Sequence, residues 1–325
     1  MLLKRLVLFC TLTAVSTAAG SAVSTTAADS RTGTGGSARL HDLAAADDDG
    51  ARPLPFFYDL YTFRGRGDST TVVSAYAVEA GRLETRPADA GSRYRFSVTL
   101  VLVDTALRSV AGAHDTVHVD VPRPLGSDHL MYTHIEMLAA PSADTYQRVL
   151  MIDALTPGVG QLYNDSVPIP DYSGTHLMLS DIALGQPDAR SGWKRGGATL
   201  ALLPTSQFPT SAFDVYYEIY NLPEGHEYAT EIAVARTDVS GTSAEPVSLH
   251  FSGKSAAGAD AVVHELRRVE SSLSKGSYRL TVTINDLTTG ATATQSRNFD
   301  VRGWNRGTLM VAALPHRAGY RSTPP

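Results

Sequence analysis

Ser277 to Ile284 reads SYRLTVTI, and its side chains alternate in character without a break. Tyr278, Leu280, Val282 and Ile284 fall on one side of an extended chain, and Arg279, Thr281 and Thr283 fall on the other. A period of two puts one face in a core and the other in water, which is the signature of a half-buried β-strand. Arg93 to Val103 (RYRFSVTLVLV) repeats the pattern, with Tyr94, Phe96, Val98, Leu100 and Leu102 inward and Arg93, Arg95, Ser97 and Thr99 outward. From Leu54 onward such segments succeed one another, rich in Val, Thr, Tyr, Ile and Leu and separated by Gly, Pro, Asp and Asn. The expected fold class is therefore all-β. One stretch admits two readings: Ala261 to Leu273 (AVVHELRRVESSL) fits a short amphipathic helix as well as a strand ending in a loop.

Comparing the chain with itself adds organisation. Tyr146 to Tyr172 lines up without a gap on Tyr278 to Trp304. Ile152, Leu155, Thr156 and Gly158 match Ile284, Leu287, Thr288 and Gly290, so each copy reads as strand, turn and return strand. Asp or Asn opens such a turn, and Gly supplies the positive φ that closes it. The match is imperfect, because Arg148 stands where the second copy has the inward Leu280. Upstream, Tyr94, Val98, Leu100 and Asp104 match Tyr228, Ile232, Val234 and Asp238. A third, local repeat aligns Gly192 to Pro204 (GWKRGGATLALLP) with Gly303 to Pro315 (GWNRGTLMVAALP). Each copy follows a predicted domain end. It reads as a linker in which Trp193 or Trp304 packs over the domain and an apolar run forms an edge strand, or as a recurrent docking segment.

About seven short strands per copy and a hairpin opening Gly-x-Tyr predict two tandem immunoglobulin- or fibronectin-like β-sandwiches. Tyr278 is a candidate corner tyrosine bonding back to the backbone, or a plain core residue. The expected layout is a signal peptide over 1–22, a disordered leader over 23–53, and a first sandwich over 54–172. A linker with edge strands follows over 173–210, then a second sandwich over 211–304 and a C-terminal strand and tail over 305–325.

The N-terminal reading rests on Lys4 and Arg5, the short apolar run Leu6 to Val15, and small residues at Ala18, Gly20 and Ala22. That run is shorter than the roughly 20 residues that cross a bilayer. The expectation is an exported protein, periplasmic or extracellular, with no transmembrane segment in its mature form. The one cysteine, Cys10, lies inside the apolar run. A mature chain without cysteine has no disulfide framework, thiolate metal site or cysteine nucleophile. A net charge of −5 offers no basic field for nucleic acid.

A search for chemistry returns little. His114, His118 and Asp120 share a strand face, but strand positions four apart are separated by about 13 Å, too far for one ion. His129 and His134 fall on opposite faces. Gly253-Lys254-Ser255 ends like a phosphate-binding loop, but Ser248 stands where its first glycine belongs. No Gly-x-Ser-x-Gly elbow occurs. Arg66-Gly67-Asp68-Ser69 is an adhesion tetrapeptide placed in an Arg/Gly-rich turn, where such residues belong anyway. Asn164-Asp165-Ser166 is a glycosylation sequon. No cofactor, metal site or catalytic residue is expected. The best binding candidate is VYYEIYNL (Val215 to Leu222): on a strand, Tyr216, Glu218 and Tyr220 share one face. Two tyrosines flanking a carboxylate suit a sugar ring or a peptide.

The run MLSDIALG (Met178 to Gly185), the strand ending LLPTSQFP, VYYEIYNL and the hairpin GSYRLTVTINDLTTG occur in an order that resembles the β-sandwich portion of bacterial GWxTD domain-containing proteins. The resemblance covers about Phe56 to Trp304. The naming motif is absent, since Gly192-Trp193 continues Lys-Arg and Gly303-Trp304 continues Asn-Arg. The resemblance implies a secreted bacterial protein and brings no catalytic residues. The sequence thus predicts a non-enzymatic protein that contacts another envelope or secreted protein. The alternative is a carbohydrate- or peptide-binding module built on Tyr216, Glu218 and Tyr220.

Overall fold

The structure, a computed structural model, describes residues 52–89, 91–156, 159–187, 192–204, 212–237, 247–255, 261–270, 273–301, 310–312 and 314–315. Its first run of strands is β1 (Arg52–Pro53), β2 (Phe57–Arg64), β3 (Thr70–Glu79), β4 (Arg86–Ala88), β5 (Gly91–Val103), β6 (Ser109–Val121), β7 (Leu130–Ala139), β8 (Tyr146–Asp153) and β9 (Val159–Ser166). Four shorter strands follow: β10 (Met178–Leu179), β11 (Ala183–Pro187), β12 (Trp193–Arg195) and β13 (Ala198–Leu202). Then come β14 (Ala212–Tyr220), β15 (Glu227–Arg236), β16 (Val247–Lys254), β17 (Val262–Glu270), β18 (Gly276–Asp286) and β19 (Thr292–Val301). Two pieces near the C-terminus, β20 (Met310–Ala312) and β21 (Leu314–Pro315), complete the set. The chain is all-β, as its alternation predicts.

The strands form four sheets. A first outer sheet has the order β1-β9-β8-β5-β6-β21, with β4 on β5, and a first inner sheet has the order β2-β3-β7-β20. In the second inner sheet β14 pairs with β17 on one edge and with β10 and β11 in succession on the other, and β13 and β12 extend it beyond β11. The second outer sheet runs β16-β15-β18-β19. The order β9-β8-β5-β6 in one outer sheet thus recurs as β19-β18-β15-β16 in the other.

Three apolar layers separate the four sheets. Tyr94, Phe96, Val98 and Leu100 of β5 meet Val72, Tyr76 and Val78 of β3 between the first pair. Phe213, Val215, Tyr217 and Ile219 of β14 meet Leu280, Val282 and Ile284 of β18 between the second pair. The remaining faces of the inner sheets pack on each other, with Tyr61, Phe63 and Val73 against Trp193, Leu200, Leu202 and Tyr216. Strands β3 and β14 are therefore covered on both faces, with one partly buried residue each at their ends. That is why TTVVSAYAV and AFDVYYEIY carry apolar and aromatic residues on both faces, with their few polar side chains buried as well.

The strands bear on several of these expectations. Arg52 and Pro53, assigned to the leader, pair in parallel with Val159 and Gly160. Residues 178–202, within the expected linker over 173–210, contribute β10 to β13 to the second inner sheet. The Ala261 to Leu273 stretch contains strand β17, which runs alongside β14. The gapless match between the two hairpins is one residue out of step in β8. Asp153 and Asp286, which it does not align, are both buried, and each accepts the backbone N–H two residues on, at 2.9 Å. A slip of one reverses every side chain in a strand. This is why the gapless match sets Arg148 against an inward leucine, and why Tyr146 is 38% exposed while Tyr278 is buried. Residues 1–51, carrying Cys10 and the predicted signal and leader, lie outside the described residues, as do Trp304 and Gly158.

Candidate functional site

The expected binding face does not face solvent. Tyr216, Glu218 and Tyr220 share one face of β14, as the period of two requires, but all three are 0% exposed. The first inner sheet and the β12–β13 hairpin cover them. A flat platform for a sugar or peptide is thereby ruled out, because a ligand would have to displace the inter-sheet core.

What the three residues build is a buried carboxylate site. Arg195, from β12, donates to Glu218 Oε1 from Nε at 2.6 Å and to Oε2 from Nη2 at 3.0 Å. Tyr216 donates to Oε1 at 2.7 Å and Tyr220 to Oε2 at 2.6 Å. His264, the direct cross-strand partner of Glu218 on β17, places Nδ1 3.1 Å from Oε1 and 2.9 Å from the Tyr216 hydroxyl. The backbone N–H of Glu218 donates to Ser180 Oγ at 2.9 Å. Ser180 sits where the second inner sheet's edge passes from β10 to β11, within the MLSDIALG run.

Burial alone would raise the Glu218 carboxyl. The hydrogen bonds from His264 and Arg195, together with the arginine's charge, outweigh it and hold the group at about 2. Burial likewise opposes the Arg195 charge, yet its bonds to Glu218 keep it more firmly protonated than usual. Burial and the adjacent carboxylate push both phenols upward, so Tyr216 and Tyr220 remain donors. A carboxylate has about four lone-pair positions. Glu218 spends them on its own chain, which leaves a structural anion rather than an acid, base or metal ligand.

The site ties the two inner sheets together. Arg195 also donates to the Arg64 carbonyl of β2 at 2.7 Å, and its guanidinium lies 4.8 Å from the Phe63 ring centroid. The Arg64 N–H donates to the Tyr220 hydroxyl at 2.8 Å. Trp193 stacks on Phe63 at 5.1 Å, meets Tyr216 edge-on at 5.2 Å, and donates from Nε1 to Glu136 of β7 at 3.2 Å. It is thus buried between sheets rather than laid over a domain end. Two more polar contacts reach across: Asp181 accepts from Thr62 and from Gln295, and Arg297 of β19 pairs with Asp59 of β2.

Gly196 is specified by this site. It opens the tight β12–β13 turn at φ +53°, and a Cβ there would lie 2.3 Å from the His264 ring. Arg195 and His264 escape a sequence reading because they join Glu218 only through sheet pairing. The one hint is that the arginine of Gly-Trp-x-Arg-Gly recurs at Arg306.

The other singled-out positions are dispersed. The Tyr278 hydroxyl donates to the Ser274 carbonyl at 2.8 Å, which is corner geometry. His114 is exposed and bonds Thr99 at 2.8 Å. Burial pushes His134 down to about 4. Arg66, Gly67 and Asp68 are exposed in the turn between β2 and β3. Among the described residues no cluster of three His, Cys, Asp or Glu is placed to hold a metal, and no helix is long and apolar enough to cross a membrane.

No family model and no curated protein matches the chain. Among solved structures it is similar to a β-glucuronidase of Bacteroides uniformis, with 11% identity and a TM-score of 0.26 over 71% of this chain and 26% of that one. It is also similar to red sea bream transglutaminase, with 10% identity and a TM-score of 0.20 over 76% of this chain and 31% of the other. The chain spans less than a third of the length of either protein.

Proposed function

We propose that the chain is an exported, non-enzymatic protein of two tandem immunoglobulin-like sandwiches, fixed face to face, that works through contact with another envelope or secreted protein. The observation that carries this reading is the Glu218 site. The one dense set of charged and phenolic groups read from the sequence is used to join the sheets, which is the chemistry of a scaffold. The recurring strand order of the outer sheets supports two copies of one domain, and the charged n-region with its short apolar run supports export. The resemblance to the sandwich region of GWxTD domain-containing proteins points the same way.

Two measurements test it. In a bacterial host, residues 1–53 fused to a reporter should carry the reporter out of the cytoplasm, and replacing Lys4 and Arg5 with Glu should stop this. Retention of the unaltered fusion overturns export. A photo-crosslinking residue at Leu162, 53% exposed on the outer sheet, should give a discrete adduct with one other exported protein. Turnover in a broad hydrolase screen, abolished by mutating described residues, would overturn the non-enzymatic assignment.

A further inference from the structure

The turn between β2 and β3 holds an exposed cation and an exposed anion that the fold does not use. It reads Gly65-Arg66-Gly67-Asp68-Ser69, and its backbone closes on itself. The Gly65 N–H donates to the Ser69 carbonyl at 2.8 Å, the Ser69 N–H to the Arg66 carbonyl at 3.2 Å, and the Ser69 hydroxyl to that same carbonyl at 2.6 Å. Both glycines are required. Gly67 sits at φ +57°, the left-handed region of a tight hairpin turn, and a Cβ on Gly65 would lie 2.6 Å from the Ser69 carbonyl oxygen. The strand leading in is fixed from below. The Arg64 carbonyl accepts from Arg195 and the Arg64 N–H donates to Tyr220, so both backbone groups before the turn are held by partners of the buried Glu218. The Arg64 side chain donates to the Tyr172 carbonyl at 3.1 Å and to Asn221 Oδ1 at 3.0 Å.

The turn leaves Arg66 and Asp68 unengaged. Both are exposed, and neither side chain has a hydrogen-bond or ion-pair partner among the described residues. Aspartates in the other hairpin turns are spent on the turn itself. Asp104 accepts from the Ala106 and Arg108 N–H groups and pairs with the Arg108 side chain, Asp153 accepts from Leu155, and Asp286 accepts from Thr288. Between β2 and β3, serine and glycine close the turn instead, and a guanidinium and a carboxylate stand free with one glycine between them.

A complementary surface has to receive a cation and an anion at this spacing. Exposed ion pairs contribute about 0–1 kcal/mol each, so lysine and glutamate partners on so small a tip would give almost no affinity. A divalent cation differs, because it takes a carboxylate oxygen directly into its coordination shell. Carboxylates in turn hold a guanidinium in a planar two-bond fit. We propose that the β2–β3 turn is a docking tip for a receptor site containing a divalent cation beside an acidic pocket, the cation taking the Asp68 carboxylate and the pocket the Arg66 guanidinium. The closed turn supplies preorganisation, since the tip is ordered before it binds. The buried Glu218 site thereby gains an outward consequence, because it fixes the strand that carries the tip. The proposal rests on the reading of the chain as an exported contact protein and names the chemistry of its partner.

The test uses the purified full chain on a sensor surface, with the ectodomain of an integrin that binds cyclic Arg-Gly-Asp peptides as the probe. In buffer containing magnesium and manganese the chain should bind the probe, and the soluble cyclic peptide should compete. Asp68→Glu keeps the charge and moves the carboxylate by one methylene, and it should weaken binding by about tenfold or more. Arg66→Lys loses the two-bond fit and should weaken binding as well. Chelating the cation should abolish binding. Both side chains are exposed and outside the turn's hydrogen bonds, so the fold is the same in each variant. No binding by the unaltered chain, binding that survives chelation, or equal binding by either variant overturns the proposal. Export and the Leu162 adduct are measured separately, so a failed tip leaves them standing, and failed export leaves the binding of the purified chain intact.

Discussion

Glu218 shows how little a side chain's type says about its use. Flanked by two tyrosines, it reads as a ligand platform; enclosed by Arg195, His264 and the same tyrosines, it is an anion fixed between sheets. Removing one partner of such a pair leaves a buried charge uncompensated. Glu218→Gln is expected to lower stability by about 3–5 kcal/mol, read as a fall in the urea midpoint. The carboxyl drops from an ordinary 4.5 to about 2 on folding. Its stabilisation is therefore complete above pH 4.5 and lost as pH falls toward 2, a span worth on the order of 3 kcal/mol. An acid titration of stability should be steep in that window for the natural chain and flatter for Glu218→Gln; equal slopes would place the acid sensitivity elsewhere. Tyr278 makes a smaller claim. Tyr278→Phe keeps the ring in the core and loses the bond to the Ser274 carbonyl, for an expected cost of about 1 kcal/mol.

At the scale of the element, the sequence discloses faces better than neighbours. In β5 and β18 every residue read as inward is buried, because a strand with one wet face writes its orientation in a period of two. Strands β3 and β14 carry no such signal, since both faces are dry, and nothing local reveals that a second sheet lies beyond them. The hairpin match fails by one residue for a related reason. Turn residues such as Thr156 and Thr288 align by identity, while the buried Asp153 and Asp286 that set the strand's face sit one position apart in that alignment. Arg195 and His264 were invisible as site residues because cross-strand register, not spacing, brings them to Glu218. Gly196 joins the element to the site. Gly196→Ala imposes the left-handed backbone on a residue with a Cβ and drives that carbon into the His264 ring. The expected cost exceeds the roughly 1–2 kcal/mol of the backbone alone, and the His264 ring resonances should move in an NMR spectrum. Unchanged His264 resonances would mean that the turn shifts without disturbing the site.

At the scale of the whole molecule, the question is whether two sandwich cores behave as two cooperative units or one. Domains joined through a small polar interface unfold separately, but here the interface is a core in its own right. Tyr61, Phe63, Trp193 and Tyr216 are each at most 1% exposed within it. Burying them contributes on the order of 10 kcal/mol at about 2–3 kcal/mol apiece. That is comparable to the whole stability of an ordinary domain, roughly 5–15 kcal/mol. Unfolding either sandwich alone would expose this layer, separate the charges of Asp59 and Arg297, and take the Arg64 carbonyl away from Arg195. An intermediate with one sandwich folded is therefore disfavoured by about as much as an ordinary domain gains on folding. Calorimetry should accordingly record one transition with a van't Hoff enthalpy close to the calorimetric value, and Trp193→Ala, which hollows the shared layer, should split or broaden it. Two resolved transitions in the unaltered chain would show that each sandwich holds its inner sheet without the other.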